Sequence, residues 1–211
     1  SEGVLARPAV VGSLDRFPAD VAAAVGVADL KAATEDNYDN GVALNYPKLD
    51  RLYQLYNLKA TAAGGGMVVA ERDRGSLRLL RTLRIPGHHA LMANGDSGAE
   101  WVSTFDTKRN KLYVGFGSSG GVVGYASSTS GSNLPGLLGI DLQSFAYTVS
   151  RFPRYLVNAG DLAGIPVGLE FDESTDTLLL LEAGFHGTSS LGNVLGLIGW
   201  TSAQLAAGVA Q

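Results

Sequence analysis

The chain has 211 residues, 28 of them glycine and none cysteine, with 45% hydrophobic residues, 17% charged residues and a formal charge of −4. Such a composition can bury a core, and it excludes wholesale disorder, disulfide staples, thiol nucleophiles and thiolate metal sites. The mildly acidic balance argues against a nucleic-acid surface, and no run approaches the ~18–20 apolar residues of a membrane span.

The opening run Ser1-Glu-Gly-Val-Leu-Ala-Arg7 has neither the basic start nor the long apolar centre of a signal peptide, and no initiator methionine precedes it. The sequence therefore reads as a processed product or an excised fragment. Val10-Val-Gly-Ser-Leu14 has the pattern of a strand, and Asp20-Val-Ala-Ala-Ala-Val25 reads as a strand or a short helix within an alanine-rich stretch reaching Lys31. Glu35, Asp36 and Asp39 then crowd into the loop Glu35-Asp-Asn-Tyr-Asp-Asn-Gly41. A hard cation such as Ca²⁺ selects such an oxygen set, although the distal glutamate of an EF-hand loop is missing and a solvated turn explains the same residues.

One hairpin pattern follows three times. It reads Val42-Ala-Leu-Asn-Tyr46 then Leu52-Tyr53-Gln-Leu, Trp101-Val-Ser-Thr-Phe105 then Leu112-Tyr113-Val-Gly, and Val167-Gly-Leu-Glu-Phe171 then Leu178-Leu179-Leu-Leu. Each copy is an alternating run, a polar turn and a second apolar run, at a spacing of roughly 60 residues that suits several strands per repeat. Helical spacing of Leu49, Leu52, Tyr53 and Tyr56 leaves a helix open as the alternative for the first copy. Glycine clusters at 64–66, 115–124 and 184–192 punctuate the repeats, each followed by a third run: Met67-Val-Val-Ala70, Leu137-Leu-Gly-Ile-Asp-Leu142 and Val194-Leu-Gly-Leu-Ile198. A fourth segment completes each unit, at 77–85, 145–152 and, more weakly, 204–209. The insert at 118–135 is rich in serine and glycine and reads as a loop for binding.

The hairpins at 102–115 and 165–181 resemble the β-propeller superfamily in the style of the NHL, YVTN and SMP-30-like repeats, with Phe105-Asp106 and Phe171-Asp172 before an apolar strand and Pro47 standing where the first copy lacks the turn aspartate. The resemblance implies an all-β, antiparallel, propeller-like fold of four-stranded repeats, about three and a half blades: 1–40 a partial repeat and connector, 41–98, 99–164 and 165–211 the three others. A ring of that size stays open, so a protein partner or a second copy is expected to complete its sheets. Some enzymes of this group hold a divalent cation with channel carboxylates. Glu170 and Glu182 stand at such strand positions, without a legible partner triplet.

Catalytic signatures are sparse. His88, His89, Asp96 and His186 sit in expected loops without a metal-ligand spacing, no Gly-x-Ser-x-Gly elbow occurs, and Ser1 is a nucleophile only if autoproteolysis made it the first residue. Arg72, Arg74, Arg78, Arg81 and Arg84 form the one concentrated charge, suited to an acidic partner or polyanion, or to protecting a sheet edge. With a mean hydropathy of +0.11, the chain is expected to be a non-enzymatic structural or interaction module, with no cofactor and no catalytic residue. A divalent-cation-dependent hydrolase, lactonase- or phytase-like, is the competing expectation, and a polyanion-binding surface a third. The compartment stays open, an extracellular or periplasmic setting being the expectation.

Overall fold

The computed structural model describes residues 19–28, 42–58, 66–90, 102–118, 136–151, 162–185 and 194–207. The strand expected at 10–14, the acidic run at 35–41, the serine-glycine run beyond Ser118, Asp96 and His186 lie outside the described residues.

Among the described residues the strands form three antiparallel sheets, so the all-β expectation holds. Sheet 1 runs in the order β1 (Val42–Tyr46), β2 (Arg51–Leu58), β3 (Gly66–Asp73) and β4 (Leu79–Ile85). In sheet 2, β5 (His88–Ala90) and β6 (Ser103–Asp106) lie end to end along one edge of β7 (Lys111–Ser118), whose other edge carries β8 (Gly136–Asp141) and then β9 (Tyr147–Arg151). Sheet 3 is β10 (Leu162–Asp172), β11 (Thr177–Phe185) and β12 (Val194–Thr201). Helix α1 is Ala19–Val25, and α2, Ser202–Ala206, follows β12 directly.

The first hairpin forms in preference to the helix because Pro47 opens a single 3₁₀ turn and Asp50 then enters the left-handed region at φ 55. The chain emerges reversed into β2. Its helix-like apolar spacing has a packing cause: β2 is covered on both faces, so it does not alternate. Asp20 to Val25 settles as helix, against the outer face of sheet 1.

Three expectations need correction. His88 and His89 pair with Ser118 and Gly117 in β5, so their backbone is strand and not loop. The weak fourth segment at 204–209 is helical in its described part. Thr201 and Gln204 form a reciprocal capping box, and alanine-rich sequence behind them favours helix. In the first hairpin the place of Asp106 and Asp172 belongs to Tyr46, not Pro47, because Tyr46 pairs with Arg51 as Asp106 pairs with Lys111 and Asp172 with Thr177. A one-residue slip exchanges faces, so Tyr46 is the neighbour of Phe105 across the sheets, at 4.6 Å between ring centroids, and not its counterpart.

The sheets stack face to face. Tyr46, Tyr53, Leu55, Met67, Val69 and Ile85 of sheet 1 pack on Leu112, Val114, Phe116, Leu138 and Ile140 of sheet 2. The opposite face of sheet 2, with Val102, Tyr113 and Leu137, packs on Leu169, Phe171, Leu178, Leu180 and Trp200 of sheet 3. No described helix is long and apolar enough to cross a membrane.

Candidate functional site

One end of the stack is built from repeated turns. Asp50, Asn110 and Asp176 close the first hairpin of each sheet in the left-handed conformation, which asparagine and aspartate adopt more readily than other side-chain-bearing residues. Their carbonyls accept the N–H of the residue just after the third strand: Arg74 at 3.2 Å, Leu142 at 2.8 Å and Ser202 at 3.1 Å. The next turns repeat as well. Asp73 Oδ1 accepts from the N–H and Oγ–H of Ser76 at 2.8 and 2.7 Å, and Asp141 Oδ1 from those of Ser144 at 2.7 and 2.9 Å. These bonds favour the ionised carboxylates and lower the pKa of both aspartates.

Polar links join successive turns. The Tyr46 hydroxyl donates to Asn110 Oδ1 at 3.0 Å, and Lys48 donates to the Thr107 carbonyl. Arg109 grips Asp176 through two bonds of 2.8 and 2.7 Å while also donating to buried Asp106 at 3.0 Å. That pairing raises the pKa of Arg109 and lowers that of Asp176. Because Arg109 and Asp176 are exposed, the link orients the turns more than it stabilises them.

Between sheets 1 and 2, Glu71 is buried and accepts from the Tyr53 hydroxyl at 3.1 Å and from Arg81, which also donates to the Leu142 carbonyl at 2.8 Å and lies 4.2 Å over the Phe145 ring. Burial, followed by the Glu71 charge, pushes the Tyr53 hydroxyl far up. On the other face of sheet 1, buried Arg72 donates to both oxygens of Asp20 at 2.7 and 2.8 Å and to Gln54 at 2.6 Å. Arg74 pairs with Asp50 at 2.9 Å. The five arginines are therefore divided. Arg72 and Arg84 stand on the α1 side of sheet 1, Arg81 on the sheet 2 side, and Arg74 and Arg78 at the turns.

The position that each sheet offers to the next is the same in all three. Leu55 pairs with Val69 in sheet 1, Gly115 with Leu137 in sheet 2, and Leu181 with Leu197 in sheet 3. Val69 is 0% exposed and Leu137 5%, each covered by the following sheet, whereas Leu197 is 69% and Leu181 38% exposed. Around this pair the outer face of sheet 3 carries Gly168, Leu179, Gly199 and exposed Glu170. This face went unnoticed in the sequence because its leucines continue a pattern that is buried in the two earlier copies.

Glu35, Asp36 and Asp39 lie outside the described residues. Among the described residues no group of three or more His, Asp or Glu side chains gathers to hold a metal. Glu170 faces outward on sheet 3 instead of converging with other carboxylates.

The sequence matches no protein-family model and no curated protein. Among solved structures the chain is similar to an N-acetylgalactosamine deacetylase from F. plautii, crystallised with blood group B trisaccharide, at 11% identity and a TM-score of 0.42 over 77% of this chain. It spans about half the length, 49%, of that chain.

Proposed function

We propose that this protein is a non-enzymatic structural and interaction module, a propeller-like stack of blades that another chain extends by docking a β-sheet on the outer face of sheet 3. The observation that carries the reading is the pair Leu181–Leu197, apolar like its counterparts and exposed where they are covered. Adjacent exposed leucines at the position through which the two earlier sheets make contact favour an interaction at this face. What remains exposed on the two leucines amounts to about one side chain and contributes about 2–3 kcal/mol on burial, less than the association cost alone. The docked sheet therefore engages the whole face, Leu179 and Glu170 included.

Light scattering of the purified protein, with mass spectrometry of every chain in the particle, tests this. The expected result is a particle heavier than the 21.9 kDa of one chain, from which Leu197→Glu releases the monomer. A particle that remains at one chain's mass at every concentration overturns the proposal.

A further inference from the structure

Helix α1 stands where a preceding sheet would stand. Sheets 2 and 3 rest on their predecessors through Leu112, Val114 and Phe116 of β7 and through Leu178 and Leu180 of β11. By the shared register, the corresponding positions on β2 are Leu52, Gln54 and Tyr56. There Tyr56, with Leu58, Val68 and Ala70, packs under Val21 and Ala22 of α1. Sheet 1 thus owns the face that would receive sheet 3 of a neighbour, and a helix of seven residues occupies it. So short a helix has no stability of its own, the marginal length being ~12–15 residues. Its polar hold is Asp20 on Arg72, whose guanidinium is buried while Asp20 is 45% exposed.

Resting on the reading of sheet 3 as a docking face, we infer that the occupant is a second copy of this chain, joined head to tail. In this arrangement α1 of one copy lifts and its sheet 1 stacks on sheet 3 of the neighbour. One observation supports the choice: the contact continues, in the same register, the stacking already made twice within the chain. The interface is heterologous, so it propagates into a ring or an open filament. Helix α1 competes with it from within the same chain and sets the concentration at which assembly begins.

Sedimentation velocity on the full chain tests both the geometry and the competition. Asp20→Asn weakens the clamp and is expected to tighten assembly about tenfold, a typical coupling between two linked equilibria. Leu181→Glu, on the exposed face, is expected to loosen assembly in that background without disturbing the fold. A chain carrying both Asp20→Asn and Leu197→Glu keeps its sheet 1 face, so adding it to Asp20→Asn chains should cap them and shorten the particles. Assembly that ignores Asp20→Asn, or that never incorporates the doubly substituted chain, overturns the head-to-tail arrangement while leaving sheet 3 as the docking face. Absence of any assembly in all variants overturns both.

Discussion

The Leu55–Val69 pair of sheet 1 and the Leu181–Leu197 pair of sheet 3 occupy the same place in their sheets and meet opposite surroundings. The first is sealed under sheet 2; the second faces outward. Local sequence makes both strands and aims both pairs at the same side, but the order of stacking decides which pair is buried. Polar devices follow the same division. The place of Glu71, which ties sheet 1 to sheet 2 through Arg81, is held in sheet 3 by Gly199, with no side chain to reach across. A methyl group there would sit 3.0 Å from the Thr177 methyl and 3.3 Å from Leu179, so the outer face is kept flat between its leucines.

The sharpest way to break this comparison is to truncate equivalent leucines. Leu137→Ala removes a buried side chain between sheets 2 and 3 and is expected to cost about 2–4 kcal/mol, through lost transfer energy and the cavity left behind. Leu197→Ala, at the same place in sheet 3, should change the stability of the single chain by no more than about 0.5 kcal/mol. Urea unfolding at a concentration low enough to keep the chain monomeric measures both. Equal losses would mean that the outer face of sheet 3 is already covered within one chain.

Glu71→Ala is the next largest effect. It leaves the Tyr53 hydroxyl without its acceptor and Arg81 without its carboxylate, for an expected loss of about 2 kcal/mol, discounted because Arg81 remains partly in water. Since Arg81 also reaches the Leu142 carbonyl and the Phe145 ring, the loss should appear as loosened contact between sheets 1 and 2. Hydrogen exchange at β4 and β8 reports it. Exchange that rises uniformly through sheet 3 as well would count against a local tie.

Much of this architecture was legible, and the parts that were not have physical causes. The hairpins announced themselves through alternation and turn residues, because each strand pair is local. The helix reading of 46–59 arose because β2 is covered on both faces, which erases the alternation that marks a strand. The slip that set Tyr46 against Phe105 arose from matching aromatic residues; the left-handed Asp50, Asn110 and Asp176 are the better ruler. The arginine run read as one patch because its members are close in sequence, whereas a strand sends neighbours to opposite faces. Arg72 went to α1 and Arg81 to sheet 2. The exposed outer face of sheet 3 was the least legible part. Nothing local distinguishes Leu197 from Leu137, and only the absence of a following sheet among the described residues does.

Acid provides the finest test of the repeat, and its sign follows from the turn bonds. Hydrogen bonds from Ser174 and Thr175 hold Asp172 down to about 2, against 3.8 for an unperturbed aspartate, and Asp73 and Asp141 are lowered by their serines. A folded carboxyl that binds its proton more weakly than the unfolded chain contributes stability that is fully present above the unfolded pKa. That contribution falls away between about pH 4 and pH 2, so the protein should be acid-labile in that window and indifferent to pH just above it. The corresponding turn after β12 has no titrating group, because Thr201 accepts from Gln204 N–H at 3.3 Å in place of an aspartate. Amide resonances of Ser76 and Ser144 should therefore move as acid is added, while that of Gln204 stays in place. Asp141→Asn keeps an acceptor oxygen for Ser144 but no charge, so it should abolish the shift at Ser144 and leave that at Ser76. Joint loss of both would show that the two turns titrate as one unit instead of as independent copies of the same device.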